Sequence, residues 1–305
     1  MTLFIQNTVL QLVGYENFNS GHLFHTLILV MIITAAVCFI IGELTRNYSQ
    51  VDKIWSIMPI VYALITLFSF PGSPRIWLMT GLVTIWGLRL SYNFYRKGGY
   101  NLILWKGEED YRWNVLRQNP HLKGFGMVLF NLFFISFYQN FLIFLFSTPL
   151  ILAAQYSNTA LNGVDFFGAF FMALFIYTET KADNQLFNFH LQKQYKIPAD
   201  DKFKNSLAVG FMIDGMWKYV RHPNFISEQL IWVSFYLFSV AASGIWINWT
   251  FAGPVLLIIL FIGSSGFTES ISLKKYPEYI EYQRSVPRFF PMKFKSRQTN
   301  YAENQ

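Results

Sequence analysis

The stretch Gly215-Met-Trp-Lys-Tyr-Val-Arg221-His222-Pro223-Asn224-Phe-Ile-Ser-Glu228-Gln-Leu-Ile-Trp232 carries the reading of this chain. Basic and aromatic residues lead to a proline, and a strongly apolar run follows at once. Read as a helix, that run places Asn224, Glu228 and Trp232 at i, i+4 and i+8, on one stripe. An asparagine and a carboxylate one turn apart at the edge of an apolar helix are costly unless something polar meets them. With Arg221 and His222 alongside, the stripe reads as the wall of a site for a polar head group.

The rest of the chain explains why that helix is apolar. Hydrophobic residues make up 53% of the 305 residues and charged residues only 13%, against roughly 25% charged in a soluble domain. Seven stretches, near 23–44, 54–72, 76–95, 125–152, 163–181, 225–243 and 250–268, approach the roughly 20 apolar residues that a bilayer crossing needs. The expected fold is all-α, a polytopic membrane helix bundle of about seven transmembrane helices. The fourth stretch is longer than needed, which predicts a tilt or a break around Tyr138-Gln139-Asn140. Residues 1–291 read as a single integral membrane domain, and residues 292–305 as a basic and polar disordered tail. The first long apolar run starts after residue 22 and is long enough to stay as an anchor, so no cleavable signal peptide is expected.

A net charge of +7 could suggest nucleic acid, but the positive residues flank the apolar runs and form no basic domain. No nucleic-acid partner is expected. The segments after the second, fourth and sixth stretches contain Arg75 and no other lysine or arginine. Those after the third and fifth contain six each: Arg96, Lys97, Lys106, Arg112, Arg117 and Lys123, then Lys193, Lys196, Lys202, Lys204, Lys218 and Arg221. Seven more follow from Lys274 to Arg297. The positive-inside rule then places the N-terminus outside, and residues 97–124, 182–224 and the C-terminus in the cytoplasm. Between Trp105 and Trp113, mixed charges and aromatics read as a short interfacial helix with tryptophan anchors.

Several chemical signatures are missing from the sequence: GxGxxG, the P-loop, HExxH and paired CxxC. Cys38, the single cysteine, sits in an apolar run and reads as a small buried hydrophobe. His22 and His25 have i, i+3 spacing but no carboxylate nearby, so an interfacial role is expected and no metal site. Ionisable residues gather instead at the cytoplasmic ends of the stretches: Asp52 near Trp55; Arg89, Tyr92, Asn93 and Arg96; Glu179 and Asp183; Arg221 to Glu228; and Glu269. Each has an ordinary explanation. Asp52 suits a helix cap, Glu179 and Asp183 a solvated helix end, and Arg89 an ion pair with Glu43, Asp52 or Glu179. Together they describe an intramembrane pocket open to the cytosol.

The run from Gly215 to Glu228, with Ala182-Asp183-Asn-Gln185 upstream and Tyr279-Ile-Glu-Tyr-Gln-Arg-Ser-Val-Pro-Arg-Phe-Phe-Pro291 downstream, resembles the steroid 5-alpha-reductase-like superfamily. The nearest likeness is to its uncharacterised membrane-protein branch, related to sterol reductases and isoprenylcysteine methyltransferases. Asp52-Lys-Ile-Trp55 and Trp86-Gly-Leu-Arg-Leu90 also look like that branch, so the resemblance covers most of residues 50–291. It implies a seven-span bundle whose cytoplasmic half binds NADPH and whose substrate enters from the lipid. The family's cofactor-binding aspartate falls on Asp183, and its asparagine, glutamate and tryptophan fall on Asn224, Glu228 and Trp232. His190 stands where the family has arginine or lysine, and Glu179 where it has asparagine. The family's catalytic tyrosine falls at Asn93, with Tyr92 the nearest phenol.

The expectation is an NADPH-dependent membrane reductase of an activated carbon–carbon double bond in a steroid-, sterol- or isoprenoid-like lipid. Its candidate cofactor-binding residues are Asp183, His190, Tyr219, Arg221, His222, Asn224, Glu228 and Trp232. The candidate catalytic residues are Asp52, Tyr92 and Glu228. Arg221, with Lys193, Lys196 or Arg284, is expected to contact cofactor phosphates. Glu228 could instead form a structural pair with Arg221 or His222. The expected partners are a lipid-soluble substrate and membrane lipids, with no obligate protein partner. An S-adenosylmethionine-dependent lipid methyltransferase, or a non-catalytic membrane scaffold that keeps the fold, are the alternatives.

Overall fold

The computed structural model describes residues 20–101, 103, 107–195 and 201–290. Trp105, Lys106, Lys196 and the tail 292–305 lie outside the described residues. Every regular element among the described residues is helical. Four helical stretches are long and apolar enough to cross a membrane: Gly21–Thr45, Phe125–Gln155, Pro223–Ser243 and Trp249–Lys275. The other three expected crossings differ from these. The helix Met58–Ser69 has 12 residues, about 18 Å of rise. Pro74–Arg96 has 23 residues but includes Arg75, Arg89 and Arg96. Gly163–Tyr195 has 33 residues and includes Asp165, Glu179 and Asp183.

Residues 1–291 read as one domain in sequence; the chain packs as two compact units. The first comprises described residues up to 169 and residues 235–253, and the second residues 170–234 and those from 254 onward. In the first unit, α1 (Ser20–Thr45), α2 (Gln50–Ile54), α3 (Met58–Ser69) and α4 (Pro74–Arg96) come in succession. Prolines at the first positions of α3 and α4 set where those helices begin, because proline lacks the N–H that would go unused there. A buried ion pair closes this unit. Both Arg75 and Asp165 side chains are 0% exposed, with Arg75 Nε 2.7 Å from Asp165 Oδ1. Arg75 Nη1 donates to Thr159 Oγ1 (2.6 Å), and Nη2 donates to Ala160 O (2.9 Å) and Asp165 Oδ2 (2.9 Å).

The interfacial helix starts later than the sequence reading placed it. It is α5 (Tyr111–Arg117), and Asp110 caps it by accepting from the Arg112 N–H at 2.9 Å. Trp113 is buried, donating its indole N–H to Asp52 at 3.1 Å, so it packs inward and is no lipid anchor. The long fourth stretch also differs from expectation. After α6 (Phe125–Phe130) it runs as a π-helix through Asn131–Tyr138, then as α7 (Gln139–Ser147) and α8 (Pro149–Gln155). The chain stays helical through Tyr138-Gln139-Asn140 and is interrupted only at Thr148, before Pro149. Side chains stitch the widened turn: Asn131 Nδ2 donates to Glu43 (2.8 Å), Ser136 Oγ to Asn131 Oδ1 (3.0 Å), and Asn140 Nδ2 to the Ser136 carbonyl (2.7 Å). The Asn140 bond supplies a partner for a backbone carbonyl of the kind a widened turn releases in an apolar setting, and the other two pair the segment's own polar side chains.

Three helices belong partly to the second unit: α9 (Gly163–Tyr195), α11 (Pro223–Ser243) and α12 (Ala252–Lys275). Two short ones, α10 (Lys204–Val209) and α13 (Tyr279–Ser285), complete it. Phe189, Phe203, Met212 and Trp217 form its small core beneath the loop that links α9 to α11.

Candidate functional site

Pro223 begins α11 and places Arg221 and His222 just outside it. Their backbone N–H groups are held by the segment after α13: Arg221 N donates to Pro287 O (2.9 Å) and His222 N to Arg288 O (3.2 Å). Their side chains converge on Glu269, which is 2% exposed on α12. Arg221 Nε lies 2.7 Å from Glu269 Oε1 and His222 Nε2 lies 2.8 Å from the same oxygen. Gln283 donates to Oε2 at 2.7 Å, and Arg288 approaches it at 3.4 Å. Arg221 Nη1 donates to the carbonyls of Gln283, at 2.9 Å, and Val286. The guanidinium therefore latches the C-terminal segment to α11 and α12.

Two expectations bear on this cluster. Arg221 directs donors to Glu269 and to backbone carbonyls while also bordering the recess formed with Arg284 and Arg288. Arg221 and His222 also choose Glu269 as their carboxylate, so the pairing considered for Glu228 goes elsewhere. Lys193 is similarly engaged, donating to the Gly210 carbonyl and to Tyr276 Oη at 2.7 Å. Arg284 is an exposed residue paired with Glu281 at 2.8 Å.

The stripe on α11 forms as its spacing requires. Asn224 Nδ2 donates to Asp183 Oδ1 on α9 at 3.3 Å, and Trp232 Nε1 donates to Glu228 Oε1 at 3.1 Å. Between them, the Ser227 and Thr178 hydroxyls bond at 3.0 Å. Glu179, Asp183 and Glu228 are 4%, 3% and 3% exposed, and Trp232 is 0% exposed. The buried Asn224 Oδ1 makes no hydrogen bond to any described residue. This is an acceptor-rich wall: two carboxylates and an amide oxygen suit a neutral ligand's N–H and O–H donors, and would repel a phosphate. Of the remaining candidates in this unit, Tyr219 is 67% exposed and His190 is also on the surface.

The two other catalytic candidates belong to the first unit. Asp52 is half-buried, packed against Trp113 and near Arg112 and Asp110. Burial raises its pKa above the ordinary carboxylate value; the Arg112 charge opposes that, and the Asp110 charge adds to it. Tyr92 is 63% exposed, with the Arg96 guanidinium 5.7 Å from its ring centre. Asn93 is the residue that α4 turns inward, accepting from Arg96 at 2.7 and 3.0 Å. Adjacent helix residues point about 100° apart, so only one of the two can face the interior. Of the catalytic candidates in this unit, Asp52 contacts Trp113 and Tyr92 lies beside Arg96. Sequence reasoning missed Glu269 as a hub and Asp165 as the partner of Arg75. In both cases a charge set in an apolar stretch was the available signal.

Comparison with known proteins places the chain in a family. The model of a family described as protein of unknown function (DUF1295) matches residues 38–286. The chain belongs to the DUF1295 family. That family falls in the steroid 5-alpha-reductase-like group. An uncharacterized protein, C594.04c of Schizosaccharomyces pombe, is 38% identical over 275 residues, covering 87% of this chain and 78% of that protein. No solved structure matches the chain.

Proposed function

We propose that this DUF1295 protein is an NADPH-dependent membrane reductase of an activated carbon–carbon double bond in a lipid-soluble substrate. The observation that carries the reading is the buried acceptor wall of Asp183, Asn224 and Glu228, with one amide oxygen unused. A nicotinamide riboside offers amide and hydroxyl donors of the kind such a wall accepts. Glu228 and Asn224 would orient that end of the cofactor, and Trp232 would fix Glu228 from below. The cationic recess of about 380 Å³ lined by Arg221, Arg284 and Arg288, with Phe289 and Phe290, suits the cofactor's anionic end. Once bound, the cofactor supplies a hydride. The chain's part is to orient it, exclude water with apolar walls and hold a proton for the substrate.

The same reading takes α3, α4 and α9 as crossing alongside the four longer apolar helices. That makes seven spans, with the N-terminus outside and the site open to the cytoplasm, supported by the lysine and arginine asymmetry. Equilibrium binding of NADPH, NADH and S-adenosylmethionine to the purified full chain in detergent tests the reading. NADPH is expected to bind tightest, and Glu228→Gln to weaken it tenfold or more with the melting temperature unchanged. Tight binding of S-adenosylmethionine with none of NADPH would replace the reductase with a methyltransferase.

A further inference from the structure

The helix α9 has 33 residues, about 50 Å of rise, which exceeds the roughly 30 Å of a bilayer's hydrocarbon core. One face of its second-unit portion changes character along its length. Phe170, Leu174, Tyr177, Lys181, Asn184 and Asn188 follow at spacings of three or four, so they line one stripe. Phe170 is 64% exposed, Leu174 38% and Tyr177 65%, and Lys181, Asn184 and Asn188 are also exposed. From Tyr177 onward the stripe borders a groove of about 510 Å³, to which the following loop adds Lys202.

The groove is built. Gly215 comes so close to the Gln185 amide that an added Cβ would lie 2.6 Å from its oxygen, at a φ of +63°. The same oxygen accepts from the Met216 N–H at 3.0 Å. Among the described residues, two lysines and three side-chain amides line the groove and no carboxylate does. Asp183, its sequence neighbour, is buried and bonded to Asn224.

We propose that this face binds an anionic phospholipid, its phosphate held by Lys181 and Lys202 and its chain lying along Leu174 and Phe170. A phospholipid presents apolar chain, ester oxygens, phosphate and polar head group in that order, which the stripe matches with Phe170 and Leu174, the Tyr177 phenol, Lys181, and then the Asn184 and Asn188 amides. A soluble phosphate would use the polar half alone and leave the exposed apolar half without purpose. The inference rests on the membrane reading of the fold and not on the reductase chemistry.

Native mass spectrometry of the detergent-purified full chain, titrated with phosphatidylglycerol or phosphatidylcholine of matched acyl chains, tests it. Phosphatidylglycerol should bind more tightly. The double variant Lys181→Gln/Lys202→Gln should weaken it about 25-fold, since a lysine beside an anionic head group is worth roughly fivefold. Asn188→Leu, which leaves the charge unchanged, should weaken it by a smaller factor. The charge-matched control Lys274→Gln/Lys275→Gln should keep the preference. The inference fails if the preference survives in the double variant or if the control loses it equally. Competition by NADPH or inorganic phosphate would also overturn it, assigning the groove to a soluble anion. NADPH binding is measured on the same double variant. Lost lipid preference with intact NADPH binding supports the lipid site whether or not the reductase reading holds.

Discussion

Two glutamates near the α11–α12 region carry opposite burdens, and paired substitutions separate them. Glu269 faces Arg221, His222 and Arg288, so Glu269→Gln leaves buried positive charge without its counter-charge. Breaking a buried pair in this way costs about 3–5 kcal/mol, and a clear fall in melting temperature is expected. Glu228 accepts from the Trp232 indole, and glutamine can accept that bond through its own oxygen. Glu228→Gln should therefore melt nearly as the native chain does; a larger loss than Glu269→Gln would reverse the two assignments. Asp52 makes a pH prediction. Burial holds its folded pKa above the usual value, so the folded state binds the extra proton. The stability it contributes is present below about pH 4 and is lost as pH rises through the folded pKa. Asp110 runs the other way: burial works to raise its pKa, but the hydrogen bonds and charge of Arg112 outweigh it and hold it low. Its contribution is lost as pH falls. Asp52→Asn should thus raise the melting temperature near pH 8 relative to the native chain and bring no gain near pH 4. A destabilisation that grows with pH would refute this.

Among the elements, α4 shows how packing overrides local preference. Gly81 and Gly87 sit on the same helix, yet only Gly87 is pressed against a neighbour. A Cβ at Gly87 would lie 2.5 Å from the Ser56 carbonyl and 2.6 Å from Ile60 Cδ1, whereas nothing lies within 4 Å at Gly81. Gly81→Ala should stabilise by up to about 1 kcal/mol through helix propensity. Gly87→Ala should destabilise by about 1–3 kcal/mol through overpacking. Thermal melts in one detergent compare the two, and equal shifts would show that the close approach carries no weight. The π-helix at Asn131–Tyr138 follows the same logic. Its mostly apolar residues gave no sequence signal, because two of the three side-chain bonds that support it involve Glu43 and Asn140, outside the segment.

For the whole molecule, the lysine and arginine asymmetry predicts a cytoplasmic Lys202. A single cysteine at that position, in a Cys38→Ala background, should resist impermeant thiol reagents applied to intact cells and react after lysis. Efficient labelling from outside would overturn the orientation. Apolar run lengths, the α11 stripe and the family itself were legible in the sequence, because each depends on composition and helical period over a few turns. The partner of Arg221 was not: Glu269 lies 48 residues away, and Glu228, the nearer carboxylate, looked equally suitable. Nor was the partner of Arg75, 90 residues distant. The side chain that α4 turns inward, Asn93 in place of Tyr92, also needed the packed helix. By itself, then, the sequence determined an all-helical membrane-type chain of the steroid 5-alpha-reductase-like group and the register of its polar stripe. Only the tertiary structure decided which charges are spent on holding helices together and which acceptors remain for a ligand. The reason is that helical period is a local property of the backbone, whereas the choice of partner depends on which distant side chains close packing brings within about 3 Å.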